Sequence, residues 1–324
     1  MHGSHHLIVQ SAHLKYELDI KRNITVIKGD SATGKTTLAD MIREYVLNGT
    51  DTGITVSCDV LCRLLEGNTW QEQLSLINNS IVFVDEGNSF VSSLDFANAV
   101  KNSTNYFVII TRENLHALPY SVNEIYGIHS SGKYNSLEPV YHELYHIYGN
   151  SPESIVHPDV LIAEDSNSGF DFFSSVSADK IKCISAKGKA NIFNLLSSGE
   201  IEGNVLIIAD GAAFGAQMAN VFDLAEKNES ISLYLPESFE WIILDSDVLN
   251  DAEVRRILQN PEDYIDGEKY FSWERFFTSL LVEKSSDSYL KYTKNKLNPA
   301  YLDGKVLSQI LSSIPAQVDI HDQT

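Results

Sequence analysis

Cysteine is scarce in this chain. Cys58, Cys62 and Cys183 are the only three in 324 residues, too few for a disulfide framework. No second Cys/His pair with zinc-finger spacing answers Cys58 and Cys62. All three therefore read as small core residues of a chain suited to a reducing, cytoplasmic setting. Eight prolines and 18 glycines are too few for a collagen-like or low-complexity chain. No apolar run reaches the length of about 18 residues that a membrane helix needs, so no membrane partner is expected. Residues Met1 to His6 lack the basic region and apolar run of a secretory signal. Positive charge is also short: 24 Lys and Arg stand against 44 Asp and Glu, a net charge of −20. The deficit is 6 over residues 1–150 and 14 over residues 151–324. Such a chain is a poor passive binder of phosphate backbones. Nucleic acid would need a local lysine strip or bridging metal ions. Two strips exist, Lys180, Lys182, Lys187 and Lys189, and Lys291, Lys294, Lys296 and Lys305; both read as solvated faces.

What is present is a repeated alternation of apolar runs with helical patterns. In the first half, Ile24–Lys28, Ile54–Cys58, Ser80–Val84 and Tyr106–Ile110 read as strands. Thr36–Leu47, a segment around Leu74–Asn78, and Phe90–Val100 read as helices. Short β-branched runs separated by helices predict an α/β fold with a parallel sheet covered on both faces. Gly149–Glu153 is a turn-rich break. Beyond it Val160–Ala163, Ile181–Ser185, Asn204–Ala209 and Ile231–Leu235 restart the alternation. From Asp247 the pattern is mostly helical. The expected organisation is therefore an α/β domain over 1–150, a smaller α/β domain over 151–246 and a helical region over 247–324.

The first half carries a phosphate-binding pattern. Gly29-Asp30-Ser31-Ala32-Thr33-Gly34-Lys35-Thr36 fits G-x-x-x-x-G-K-[ST], with Thr37 following. The glycines let backbone N–H groups curl around a phosphate. Lys35 would reach the β- and γ-phosphates, Thr36 would ligate Mg²⁺, and the helix that follows points its positive end at the anion. A strand precedes the loop and a helix follows it, as this chemistry requires. The apolar strand Ser80–Val84 ends in Asp85 and Glu86. Asp85 is placed to hold the Mg²⁺ water shell and Glu86 to orient or deprotonate the attacking water.

Together these segments resemble the Walker A and Walker B elements of P-loop NTPases. The resemblance implies ATP as ligand, and the adjacent Asp-Glu pair implies hydrolysis. Thr111, at the end of the next strand, is a candidate γ-phosphate sensor. Arg112 is a candidate sensor or a residue acting in trans on a neighbouring subunit, which would make the protein a homo-oligomer. Asp85 follows Thr36 by only 49 positions, leaving no room for a coiled-coil insertion. A small-molecule kinase is the competing reading, but residues 112–150 hold only Arg112 and Lys133, too few for a basic lid.

In the second half, Val160–Ala163 runs into Glu164 and Asp165, and Val205–Ala209 runs into Asp210, 46 positions after Glu164. Carboxylates at successive ends of parallel strands gather along one edge, where they suit Mg²⁺. As helix N-caps they would be favoured there anyway. Over residues 158–245 the spacing resembles the Toprim fold of primases, topoisomerases and the OLD-type ATPase–nucleases. There a Glu and an Asp-x-Asp hold divalent metal beside a DNA or RNA phosphate. Glu164 and Asp210 match that pattern. Ala212 stands where the second Asp would be, with Glu240 or Asp165 as candidate substitutes. The resemblance implies an ATPase controlling a nucleic-acid-processing domain. The alternatives are an ATP-dependent regulatory or sensing protein with an inactive second domain, and a phosphotransferase. His142-Glu-Leu-Tyr-His146 spells the zincin letters, but its alternation predicts a strand, in which zincin geometry is lost.

Overall fold

The structure, a computed structural model, describes residues 1–29, 34–130, 140–177 and 179–321. The chain forms two compact units. One holds Met1–Tyr148 with Pro261–Phe271, the other Gly149–Asn260 with Ser272–Thr324.

The first unit is built on a nine-stranded sheet. Its strands are β1 (His5–Gln10), β2 (Leu14–Ile20), β3 (Ile24–Ile27), β4 (Thr55–Ser57), β5 (Leu61–Leu64), β6 (Ser80–Val84), β7 (Tyr106–Ile110), β8 (Ile125–Ser130) and β9 (Val140–His146). Their order is β4-β1-β2-β9-β8-β3-β7-β6-β5. Strands β5, β6, β7, β3 and β8 run parallel. Every residue of β3, β6 and β7 is buried, as expected of β-branched and aromatic runs covered on both faces.

The sheet is mostly parallel, and one part departs from the parallel pattern expected. β1 pairs antiparallel with β2 and β4, and β8 with β9. β1 and the later part of β2 alternate between covered and solvent-facing positions, because polar His, Lys, Glu and Asp share these strands with the apolar residues. That dilution hides them from a search for apolar runs.

The sheet also curls. β4 and β5 are its two edges, yet only residues 58–60 separate them in the chain. That segment spans at most about 14 Å, whereas nine strands laid flat would put the edges roughly 38 Å apart. Helix α1 (Lys35–Asn48) packs against β1, β4, β5 and β6. Its Leu38, Ala39, Met41 and Ile42 join Leu7, Val9, Ile27, Phe83 and Ile110 in one core. Two shorter helices, α2 (Trp70–Ser75) and α3 (Leu94–Lys101), complete the crossovers. Cys58 and Cys62 are free thiols that belong to or pack on this core.

The second unit has a four-stranded parallel sheet. Its strands are β10 (Val160–Ala163), β11 (Lys182–Ser185), β12 (Val205–Ile208) and β13 (Ile231–Tyr234), in the order β11-β10-β12-β13. The central pair, β10 and β12, is wholly buried. Helices α4 (Ser168–Val176), α5 (Ile192–Ser197) and α6 (Gly215–Lys227) alternate with the strands, and α7 (Phe239–Asp245), α8 (Ala252–Gln259), α9 (Trp273–Ser285) and α10 (Gly304–Ser312) follow. The helical region expected over 247–324 is not a separate body. α9 packs on α7 and buries Phe276, Phe277, Leu280 and Leu281. Residues 261–271 instead return to the first unit, where Gly267 N–H donates to Met1 O and the Asn23 side chain donates to Phe271 O. Among the described residues no helix is long and apolar enough to cross a membrane.

Candidate nucleotide site and candidate metal pocket

At the carboxyl edge of the first sheet, β3 leads through Gly29 to α1. Gly29 and Gly34 have φ of 131° and 92°, the region that favours glycine. Lys35 is 4% exposed, and its ammonium donates to the Gly29 carbonyl at 2.6 Å. The ends of the loop are thus tied by the residue expected to contact phosphate. Thr36 is exposed in the first turn of α1 and Thr37 is half-buried. Asp30, Ser31, Ala32 and Thr33 lie outside the described residues.

β7 lies between β3 and β6, so parallel pairing brings the ends of all three strands to one edge. Thr111, 3% exposed, donates its N–H to Ile27 O at 3.1 Å. Asp85 ends β6 in a tight turn, its carbonyl accepting from Gly87 and Asn88 and its carboxylate from the N–H of Glu86 at 2.8 Å. Both carboxylates have arginine partners. Arg43 on α1 lies 3.7 Å from Asp85, and Arg112 binds Glu86 through two nitrogens at 3.1 and 3.2 Å. Glu86, Asn88, Thr111 and Arg112 line one open depression. Arg112 therefore sits on the expected base.

The second edge has the opposite character. The N–H of Asp210 donates to the Glu164 carboxylate at 3.0 Å, and Asp210 accepts from the N–H of Phe239 at 3.2 Å. The Asp210 backbone and the Glu164 carboxylate thus meet at adjacent strand ends. Burial pushes Glu164 up to about 7, against the pull of Lys189 and of the Asp210 N–H. Burial, then the fields of Glu274, Glu164 and Glu240, hold Asp210 well above the usual carboxylate range. Glu164, Asp165, Asp210, Glu240, Tyr292 and Lys294 line one pocket. Its volume of about 30 Å³ has room for an ion or a water or two, not a nucleotide. Glu240, 2% exposed, accepts from Tyr292 at 2.8 Å.

Two features escape a reading by motif. Lys294 does not belong to a solvated strip: its ammonium donates to Glu274 at 2.7 Å inside this acidic pocket. Burial alone would lower it, but Glu274, Glu240 and Asp210 outweigh burial and hold it above the usual lysine range. Tyr292 joins Glu240 to Ser168, whose hydroxyl lies 2.7 Å away. The mostly helical run after Asp247 carries no strand-end signal that would mark either residue. Ala212 is buried, its N–H bonded to Glu237 O, so a methyl group occupies the position of the expected second aspartate. Among the described residues no group of three His, Cys, Asp or Glu is arranged to hold a metal.

The chain matches no family model, no curated protein and no solved structure.

β9 is a strand, as its alternation predicts, with His142 buried and His146 exposed; zincin geometry is absent.

Proposed function

We propose that the first unit binds ATP with Mg²⁺ and hydrolyses it. In this reading Gly29–Thr37 cradles the phosphates, with Lys35 on the β- and γ-phosphates. Thr36 and Asp85 would hold Mg²⁺, which would supply charge neutralisation at the phosphates. Glu86 orients the attacking water and accepts its proton. The observation that supports this best is the single sheet edge shared by the Lys35–Gly29 tie, Thr111 and the Asp85–Glu86 pair. Glycines at positive φ, a threonine in the first turn of α1 and a carboxylate at the end of β6 are the donor types a nucleotide–Mg²⁺ complex needs. Arg112 must release Glu86 before Glu86 can take a proton, so Arg112 sets a resting state.

For the second unit, the oxygen donors Glu164 and Asp210 suit a hard cation. With only two such ligands, Mg²⁺ would complete its shell with water and substrate phosphate, as it commonly does. This supports a Toprim-like pocket acting on DNA or RNA under control of the ATPase. The second reading is an ATP-dependent regulatory protein with a catalytically inert second unit, and the buried Ala212 and the ammonium of Lys294 favour it. ATP turnover with and without DNA and RNA, followed by nuclease assays in Mg²⁺ and Mn²⁺, separates the two. No turnover under any condition sinks the ATPase; turnover without strand cleavage selects the regulatory reading.

A further inference from the structure

The loop-ending Gly34 is gripped by residues that no phosphate-binding pattern contains. The hydroxyl of Tyr16, on β2, donates to the Gly34 carbonyl at 2.9 Å. That same carbonyl accepts from the N–H of Leu38 at 3.0 Å, the bond that closes the first turn of α1. Tyr16 is paired in register with His142 on the parallel neighbour β9. Their rings stack 4.4 Å apart with only 9° between planes. Both residues are 2% exposed. A Cβ on Gly34 would sit 3.0 Å from the Tyr16 oxygen and 3.2 Å from the His142 ring. Glycine is thus required here by close approach as well as by its φ of 92°.

The geometry points to Tyr16 and His142 as positioning residues for the nucleotide loop, a stacked brace that fixes the Gly34 carbonyl and with it the first turn of α1. This rests on the ATP reading above. The physical reason is preorganisation. A phosphate cradle works through backbone N–H groups, and these bind best when their direction is set before the anion arrives. Lys35 secures the loop through Gly29. Tyr16 secures its other end, and His142 keeps the Tyr16 ring from rotating away. Burial lowers the proton affinity of His142, which favours the neutral imidazole in the stack over a charge beside the cradle. Strands β2 and β9, a parallel pair outside the β5–β6–β7–β3–β8 run, thereby take part in nucleotide binding without carrying any residue of the phosphate loop.

The test compares Tyr16→Phe, which removes only the hydroxyl, with His142→Ala and the ring-restoring His142→Phe. Two readouts are taken on the full chain: amide hydrogen exchange at residues 35–38 without nucleotide, and MgADP affinity by calorimetry. Tyr16→Phe is expected to speed exchange at residues 35–38 selectively and to weaken MgADP roughly five- to tenfold, the loss of one hydrogen bond, with little change in melting temperature. His142→Ala is expected to do the same, and His142→Phe to restore much of the loss. Unchanged exchange in Tyr16→Phe overturns the brace. So does a fall in melting temperature without a selective change at residues 35–38. Faster exchange with MgADP affinity unchanged overturns its role in nucleotide binding. A wild-type chain that binds no MgADP, while Tyr16→Phe still speeds exchange, removes the ATP reading and leaves the contact as local scaffolding.

Discussion

Both units place carboxylates at the ends of parallel strands, yet the two edges are electrostatic opposites. At the first, Asp85 and Glu86 are partly open and each faces an arginine. Lys35 and the glycines at positive φ stand at the same edge, and under the proposed function they receive an anion. At the second, Glu164 and Asp210 line one pocket with Glu240 and Lys294, and burial raises both carboxylates. That is an environment for a proton or a cation. Strand-end carboxylates alone therefore do not specify a chemistry. What surrounds them decides whether the site gathers negative or positive charge.

The contrast can be broken most forcefully at Lys35. Lys35→Ala is expected to weaken nucleotide binding by about 100-fold or more, since it removes a charged contact to the phosphates. Calorimetry with MgADP checks this, and affinity near that of the wild type would end the assignment of the first edge. Glu86→Gln should retain nucleotide while turnover drops roughly 10²- to 10⁴-fold, the usual contribution of a general base. Turnover at the wild-type rate would mean that another group activates water.

The second edge should respond to pH and cations. Glu164 titrates at about 7 in the fold, against 4.5 ordinarily. A raised carboxylate stabilises the fold fully below its unfolded value, and that contribution is lost as pH rises through about 7. Asp210 adds in the same direction. The melting temperature should thus fall between pH 5 and pH 8 by a few degrees. Mn²⁺ without nucleotide should restore it at pH 8 and do little at pH 5, because it binds the ionised pair. Glu164→Gln with Asp210→Asn should flatten both responses; a Mn²⁺ shift that survives this pair would place the cation elsewhere. The smallest effect is expected from Arg112→Ala. Its partly exposed pair with Glu86 contributes about 1 kcal/mol or less to stability. Melting should barely move, while turnover rises a few-fold as Glu86 is released. A fall in turnover would instead make Arg112 a contact to the phosphates.

Much of this was legible in the sequence, for a local reason. The β3–loop–α1 segment, β6 ending in Asp85 and Glu86, and the central strands β10 and β12 are continuous stretches. Their burial on both faces demands apolar runs, and their turns demand glycine or carboxylate at fixed offsets. That Glu164 and Asp210 line one pocket followed from parallel pairing of β10 and β12, which aligns strand ends whatever lies between them. The outer strands β1 and β2 were not legible, since half-solvated alternation mixed with charge resembles ordinary surface. Nor was Lys294: a lysine among lysines reads as a solvated face until Glu274 and Asp210 are brought around it.

Local sequence carries the central strands and the helices between them, the residues of the phosphate loop and the acidic strand ends, because these are set within a few residues of each other. The curl of the sheet, the placement of Arg112 on Glu86, the entry of Lys294 into an acidic pocket and the grip of Tyr16 and His142 on Gly34 come from folding in three dimensions. Each of these joins groups brought together by sheet order or by helix packing. Such contacts leave no spacing in the sequence, because the free energy that selects them comes from burial and pairing across the whole fold.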